Sequence, residues 1–114
     1  MPLLTIHTNQ VLTDENRLAL LNHVSSAVAD LLGKPEDYVM VSVQDKQALI
    51  FAGSEAPCAL LALKSLALAE EKTADYSAAL CTIINQQLDI PADRIYIEFG
   101  NPARHMWGWN NRTF

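Results

Sequence analysis

The sequence predicts an α/β protein in which two successive βαβ units form one four-stranded sheet with both helices on the same face. The first observation behind this prediction is an internal match at an offset of 56 residues, which aligns Pro35 to Val43 (PEDYVMVSV) with Pro91 to Phe99 (PADRIYIEF). Both segments begin Pro-x-Asp and continue with β-branched and aromatic residues, which favour strands. The second observation is that apolar residues recur at helical spacing, three or four positions apart, in the stretch before each segment. We therefore expect one domain, residues 1–114, duplicated as about 2–56 and 57–114.

The first half carries signals for a strand, a capped helix and a second strand. Leu3 to Thr8 is typical of a short strand. Thr13 is a good helix N-cap, and Gly33 supplies a C-cap before Pro35. A strand from Tyr38 to Val43 follows. The apolar positions between the two caps recur at helical spacing: Leu18, Leu21, Val24, Val28, Leu31 and Leu32.

The second half repeats this order and raises the question of what covers the sheet. It predicts a strand from about Cys58 to Leu66, a helix from about Glu70 to Leu88 and a strand from Arg94 to Phe99. The apolar face of this helix consists of Tyr76, Leu80, Ile83, Ile84 and Leu88. Strands within each βαβ unit are parallel by default, and both helices on one face leave the other face bare. Many residues of that bare face are apolar, so either another chain covers it or the predicted fold is wrong.

Composition narrows the functional classes. The net charge is −5 and the eight basic residues are scattered, so the chain lacks the basic stripe that nucleic acid requires. No apolar run approaches the ~18 residues of a membrane span, and the N-terminus lacks the regions of a signal peptide. We expect a cytoplasmic protein, with non-classical secretion left open. The cysteines, Cys58 and Cys81, and the histidines, His7, His23 and His105, show no metal-ligand spacing, so we predict neither a metal nor a cofactor. The two cysteines are predicted to be structural thiols.

Five segments in register carry a resemblance to a known family. They are Met1-Pro2-Leu3, Gly33-Lys34-Pro35, Pro57-Cys58-Ala59-Leu60, Asp93-Arg94-Ile95-Tyr96-Ile97 and Gly108-Trp109-Asn110-Asn111-Arg112-Thr113-Phe114. From Pro2 to Phe114 the chain resembles the family of macrophage migration inhibitory factor and D-dopachrome tautomerase. The resemblance implies the tautomerase fold and a homotrimer whose sheets face inward around a channel. It also implies keto–enol tautomerisation of phenylpyruvate-like aromatic 2-oxo acids, in pockets at the subunit boundaries.

The resemblance makes Pro2 the catalytic base. Met1 before a small second residue is normally removed in the cell, which would leave Pro2 with a secondary amine. An α-amino group titrates near ~8, and burial or a nearby cation lowers that pKa, which suits proton abstraction beside a carbonyl. The alternative is that Pro2 is a harmless second residue. If Met1 persists, the Pro2 nitrogen is an amide without basicity.

By resemblance, two segments of the chain would bind the carboxylate of the substrate. By resemblance, Lys34 binds that carboxylate and lowers the pKa of Pro2, although a lysine after a helix C-cap is ordinarily a solvated cation. By the same resemblance, Ser65 and Leu66 occupy the family's segment whose backbone N–H, at Leu66 here, would donate to the same carboxylate.

Aromatic residues would form the remainder of the pocket. By resemblance, Tyr96 lines the pocket of a neighbouring subunit with its hydroxyl near Pro2, and the alternative is a half-buried aromatic of a strand. Tyr38, Trp109 and Phe114 would border the pocket, where an aromatic wall suits a phenyl ring. The alternative for these three, and for Trp107, is a place in the core or at a sheet edge.

Two residues depart from the family pattern and bear on function. Glu98 stands where the family often has asparagine, and it would place a negative charge near an anionic substrate. Leu61 replaces the cysteine that would complete a CxxC motif with Cys58, so a thiol oxidoreductase role is not supported. Lys34 without an arginine partner near the N-terminus favours simple tautomerisation over decarboxylation or dehalogenation. The alternative function is a cytokine-like signalling or protein-binding role with a vestigial pocket and an unknown receptor.

Overall fold

The computed structural model describes all residues, 1–114, and contains two helices and six strands. In chain order the elements are β1 (Leu3–Thr8), α1 (Asp14–Leu32), β2 (Met40–Gln44), β3 (Ala59–Lys64), α2 (Thr73–Leu88), β4 (Ile95–Gly100), β5 (Gly108–Trp109) and β6 (Arg112–Thr113). The first four strands form one sheet in the order β2-β1-β3-β4, and the last two form a separate hairpin. No helix is both long enough and apolar enough to cross a membrane.

The sheet joins two parallel strand pairs through an antiparallel centre. β1 pairs with β2 and β3 pairs with β4 in parallel, as predicted for two βαβ units, while β1 and β3 run antiparallel. Leu3 lies opposite both Met40 and Lys64, and Lys64 lies opposite Gly100. The starts of β1 and β2 and the ends of β3 and β4 therefore meet at one edge of the sheet, which we call the Leu3 edge.

Both helices lie on one face of the sheet, which confirms the predicted arrangement. The sheet contributes Leu4, Ile6, Leu61 and Leu63 to the core, α1 contributes Leu20, Val24 and Val28, and α2 contributes Tyr76, Leu80 and Ile84. The prediction that Leu18 belongs to the buried stripe is wrong, because its side chain is 60% exposed. Leu18 precedes the buried Leu20 by two positions, which is about 200° around the helix, so it faces away from the core.

The second face of the sheet carries no helix. It alternates with the buried positions and is formed by Leu3, Thr5, His7, Met40, Ser42, Gln44, Leu60, Ala62, Lys64, Tyr96 and Glu98. Polar and apolar residues are mixed on it, and the apolar ones are Leu3, Met40, Leu60, Ala62 and Tyr96. Met40 and Tyr96 are each 66% exposed in the single chain.

The caps of α1 agree with the sequence. The Thr13 hydroxyl accepts from the N–H of Asn16 at 3.0 Å. Gly33 ends the helix with φ 63°, and the N–H of Lys34 donates to the carbonyl of Ala29 at 3.0 Å. This is the Schellman arrangement, in which a left-handed residue satisfies the last helical carbonyls. It fixes the backbone of Lys34 relative to the helix.

Turns of 3₁₀ helix replace the predicted starts of two strands and one helix. Glu36–Tyr38 and Ala92–Arg94 form such turns after prolines, so the strands begin at Met40 and Ile95 rather than at Tyr38 and Arg94. Glu70–Lys72 forms another before α2, and β3 is shorter at both ends than predicted.

Candidate functional site

Two adjoining cavities open at the Leu3 edge and share Met1, Tyr38 and Phe114. The larger, of about 400 Å³, is an aromatic cavity lined by Pro2 and Asp37 together with Tyr38, Trp107, Trp109 and Phe114. The smaller, of about 170 Å³, is a cationic cavity that adds Lys34, Leu66 and Arg104 to the shared residues. The structure therefore brings together six of the predicted site residues: Pro2, Lys34, Tyr38, Leu66, Trp109 and Phe114.

A short hairpin builds the aromatic wall. β5 and β6 are joined by Asn110 and Asn111, whose φ angles of 51° and 62° are those of a type I′ turn. The turn sets Trp109 against two rings, edge-on to Tyr38 at 5.7 Å and stacked on Phe114 at 5.6 Å between centroids. The sequence analysis did not predict this hairpin, although the Asn-Asn pair is a signal that could have found it.

The amino terminus lies where the two cavities meet. Pro2 is fully buried, and its carbonyl accepts from the N–H of Met40 at 3.0 Å. Met1 precedes it in this structure, so the titrating amine is that of Met1. Burial first, and then the charges of Lys34 and Arg104, lower the pKa of this amine below its ordinary value of 8.0. The surroundings of the chain start thus favour a neutral amine.

One wall of the cationic cavity offers a cation and an unused amide. The Lys34 ammonium donates to the carbonyl of Leu66 at 3.5 Å and makes no ion pair, since both ion pairs of the chain involve Arg17. The N–H of Leu66 donates no hydrogen bond within the chain. Leu66 precedes Ala67, which has a left-handed φ of 53°. A lysine ammonium beside a free backbone N–H can bind a carboxylate.

The side chain of Ser65 does not reach either cavity around the amino terminus. Ser65 is fully buried, and its hydroxyl donates to the carbonyl of Leu66 at 3.2 Å. Its backbone N–H donates to Gly100 at 3.1 Å, which joins the end of β3 to the end of β4. These contacts hold the segment that presents the Leu66 amide.

Tyr96 and Glu98 do not meet Pro2 within one chain. Both lie on β4, two strands from β1, on the face without helices. Tyr96 lies opposite Leu60, near the far end of β1, and its ring packs edge-on against Phe51 at 4.8 Å. Only a neighbouring subunit could bring these two side chains to an amino terminus.

Arg104 is the residue at this edge that sequence reasoning missed. It begins the turn Arg104–Met106 after β4 and lines the cationic cavity with Lys34. The expectation that no arginine lies near the N-terminus is therefore wrong, and with it the argument against other reactions. Gly100 lies opposite Lys64, and Lys64 lies opposite Leu3, so β4 ends near the amino terminus. The sequence alone does not give these strand pairings, so it did not place Arg104 there.

Two βαβ units joined in one mixed sheet, with the chain start at the Leu3 edge, define a protein of the tautomerase fold. The structure superposes on a macrophage migration inhibitory factor homologue from Prochlorococcus marinus with a TM-score of 0.91 and 41% identity, over 98% of both chains. The Trichinella spiralis protein superposes with a TM-score of 0.90 and 34% identity, over 98% of this chain and 99% of the other.

Sequence comparison gives the same family. The family described as macrophage migration inhibitory factor (MIF) matches residues 1–114. The chain is 38% identical over 115 residues to the homolog from Brugia malayi, covering 100% of this chain and 99% of the other. It is 36% identical over 117 residues to the factor from Xenopus tropicalis, with the same coverage. The chain belongs to the macrophage migration inhibitory factor family, as the sequence segments predicted.

Proposed function

We propose that this protein is a keto–enol tautomerase of phenylpyruvate-like aromatic 2-oxo acids, with Pro2 as general base after removal of Met1. The observation that carries the proposal is the position of the buried Pro2, which lines the aromatic cavity and directly follows Met1, a residue of both the aromatic and the cationic cavity. Tautomerase-type isomerases are members of this family, which supports the reaction class.

The two cavities divide the substrate between them. A phenyl ring fits the wall of Tyr38, Trp109 and Phe114, where offset and edge-on ring contacts are already present. The carboxylate binds the Lys34 ammonium and the Leu66 N–H. Holding both ends places C3 of the substrate beside residue 2, which is the positional contribution to catalysis.

The chemistry needs one base that changes protonation state. The neutral Pro2 amine takes a proton from C3, the electron pair of that C–H bond forms the C2–C3 double bond, and the carbonyl π pair moves to oxygen, which accepts a proton from solvent water. The protonated amine then returns its proton to the solvent, which restores the neutral base. In the reverse direction the protonated amine returns the proton to C3. Residue 2 is more buried than Met1, and Lys34 and Arg104 act on the chain start, so the pKa of its amine is expected to lie below the ordinary value of an α-amino group, which favours the neutral base.

The active unit of this proposal is a homotrimer, as in homologues of the family. The exposed Met40 and Tyr96 on the helix-free face support an interface there. Tyr96 and Glu98 of one subunit would then approach Pro2 of the next. Sedimentation equilibrium is expected to give three times the chain mass of 12.6 kDa, and the single-chain mass at micromolar concentration would overturn the trimer.

Blocking the amine tests the catalytic role directly. Intact mass spectrometry first establishes that Met1 is absent. Phenylpyruvate tautomerisation, followed as enol–borate absorbance, should then fall ~10²–10⁴-fold when one alanine is retained before Pro2, or in Pro2→Gly, while circular dichroism and assembly stay unchanged. Equal turnover by the free and the extended protein would refute the role of Pro2.

A cytokine-like role is the second candidate, because the family includes tautomerase-fold proteins with such roles. No residue of the site distinguishes it from catalysis. Binding to a cell-surface receptor that survives in the alanine-extended protein would support it independently of turnover.

Both cysteines are free thiols, which suits the cytoplasmic location expected from the sequence.

A further inference from the structure

We infer that Arg104 is a second carboxylate-binding residue of the cationic cavity and acts together with Lys34. The two side chains come from distant parts of the chain, one after α1 and one after β4, and they line the same space of about 170 Å³ with Met1 and Leu66. The inference rests on the proposed function for the identity of the ligand, an aromatic carboxylic acid.

The position of Arg104 is built into the fold. β4 ends at Gly100, opposite Lys64, and Lys64 lies opposite Leu3. Asn101 then fixes the outgoing chain, because its side-chain amide donates to Glu70 at 2.9 Å and its side-chain oxygen accepts from the N–H of Leu68 at 3.2 Å. The turn that starts at Arg104 is thereby held beside the segment that contains Leu66.

Neither cation of this cavity has an acidic partner. The ion pairs of the chain join Arg17 to Asp14 and to Asp45, far from the Leu3 edge. The Arg104 side chain is exposed and makes no hydrogen bond within the chain. Asp37 is a lining residue of the neighbouring aromatic cavity and not of this one. A chain of net charge −5 therefore keeps two unpaired cations in one small cavity, which attracts anions locally.

The chemistry of the two cations is complementary. Arginine presents a planar fork of donors that binds a carboxylate through two parallel hydrogen bonds, whereas lysine acts as a compact point charge. The charge of Arg104 already reaches the chain start, since it contributes with burial and Lys34 to the lowered pKa of the Met1 amine. An anion bound between the two cations lies next to that amine.

Binding of a non-reactive acid tests this without turnover. The protein with a free Pro2 is titrated by calorimetry with 3-phenylpropionate and with 3-phenylpropionamide, which has the same ring and no charge. Arg104→Gln should weaken binding of 3-phenylpropionate about five- to tenfold, because the expected loss lies between that of an exposed ion pair and that of a charge-assisted hydrogen bond. The affinity for 3-phenylpropionamide should not change. Arg104→Lys should recover part of the loss.

Lys46→Gln is the matched control, because Lys46 is an exposed cation beyond the far end of β2. It removes the same charge from the chain and should leave both affinities unchanged. Equal acid affinity in wild type and Arg104→Gln, or an equal loss in Lys46→Gln, would overturn the inference. A loss confined to Arg104→Gln in a protein that does not tautomerise phenylpyruvate would uphold the site and refute the proposed reaction.

Discussion

Replacing Gly33 with alanine should destabilise the protein and disturb the site at the same time. Gly33 adopts φ 63° at the end of α1, and an added Cβ would meet no heavy atom within 4 Å. The penalty is therefore conformational rather than steric. It acts on the backbone just before Lys34, whose N–H closes the Schellman arrangement on Ala29.

The magnitude follows from two opposing contributions. A left-handed conformation costs an L-residue about 1–2 kcal/mol, and the smaller unfolded-state entropy of alanine offsets about 0.4–1 kcal/mol. The net loss in the free energy of unfolding is about 1 kcal/mol. With about 2.1 cal/mol/K of unfolding entropy per residue, a chain of 114 residues should lose about 4 °C in Tm.

The duplicated half supplies a control with the opposite sign. Asp89, 56 positions after Gly33, ends α2 with φ 57°. Because Asp89 has a Cβ, this left-handed conformation is less favourable for it than for glycine. Asp89→Gly should raise Tm by about 1–3 °C, because glycine is the preferred residue at such a position. Asp89 precedes the start of β4, which lies at the edge opposite Leu3.

Thermal unfolding followed by circular dichroism measures both variants, at one protein concentration because assembly makes Tm depend on it. KM for phenylpyruvate should rise in Gly33→Ala, where Lys34 shifts, and stay constant in Asp89→Gly. An unchanged or higher Tm in Gly33→Ala, or a lower one in Asp89→Gly, would refute the conformational argument.

Three further predictions concern charge. Lys34→Ala should raise KM for phenylpyruvate about tenfold or more but leave KM for its methyl ester unchanged, and a constant acid-to-ester ratio would return Lys34 to a solvated cation. Glu98→Asn should move the rising limb of kcat/KM to lower pH if the carboxylate lies near a neighbouring Pro2, and coincident profiles would place it outside the site. The N–H of Leu12 and then Arg17 hold the pKa of Asp45 below 3.8, so its stabilisation is complete above that pH and lost as pH falls through the lowered value. Asp45→Asn should flatten the acid-side fall of Tm, and parallel curves would contradict this.

The sequence predicted the first half of the fold closely because its signals are local. Leu3–Thr8 alternates between buried and half-buried residues, and α1 begins after Thr13 and ends before Gly33 as its caps indicate. The second helix begins later than predicted. Ala69, at the position equivalent to Thr13, has no side-chain acceptor, and the chain makes a 3₁₀ turn before α2 starts at Thr73.

Both Pro-x-Asp segments were interpreted as strand starts because β-branched residues follow them. Each proline instead opens a 3₁₀ turn, with Tyr38 donating to Pro35 at 3.1 Å and Arg94 donating to Pro91 at 2.9 Å. Residue propensities do not take this i→i+3 hydrogen bond into account. The start of β2 was therefore predicted two residues too early and the start of β4 one residue too early.

For the candidate site, too, the residues in short recognisable segments were predicted from the sequence, and the residue whose position depends on long-range strand pairing was not. Pro2 and Lys34 were found through short segments that resemble a family. Arg104 lies in no such segment, and its place beside Lys34 depends on three strand registers that only the structure provides.

Met1 and Phe114, far apart in the sequence, line the same two cavities. An extension attached directly before Pro2 or directly after Phe114 would thus begin inside the candidate site. A tag before residue 2 would convert its amine to an amide, and one after Phe114 would crowd the ring that stacks on Trp109. Recombinant protein for any assay of this family member should therefore be made untagged, or with an N-terminal fusion whose cleavage leaves Pro2 as the first residue.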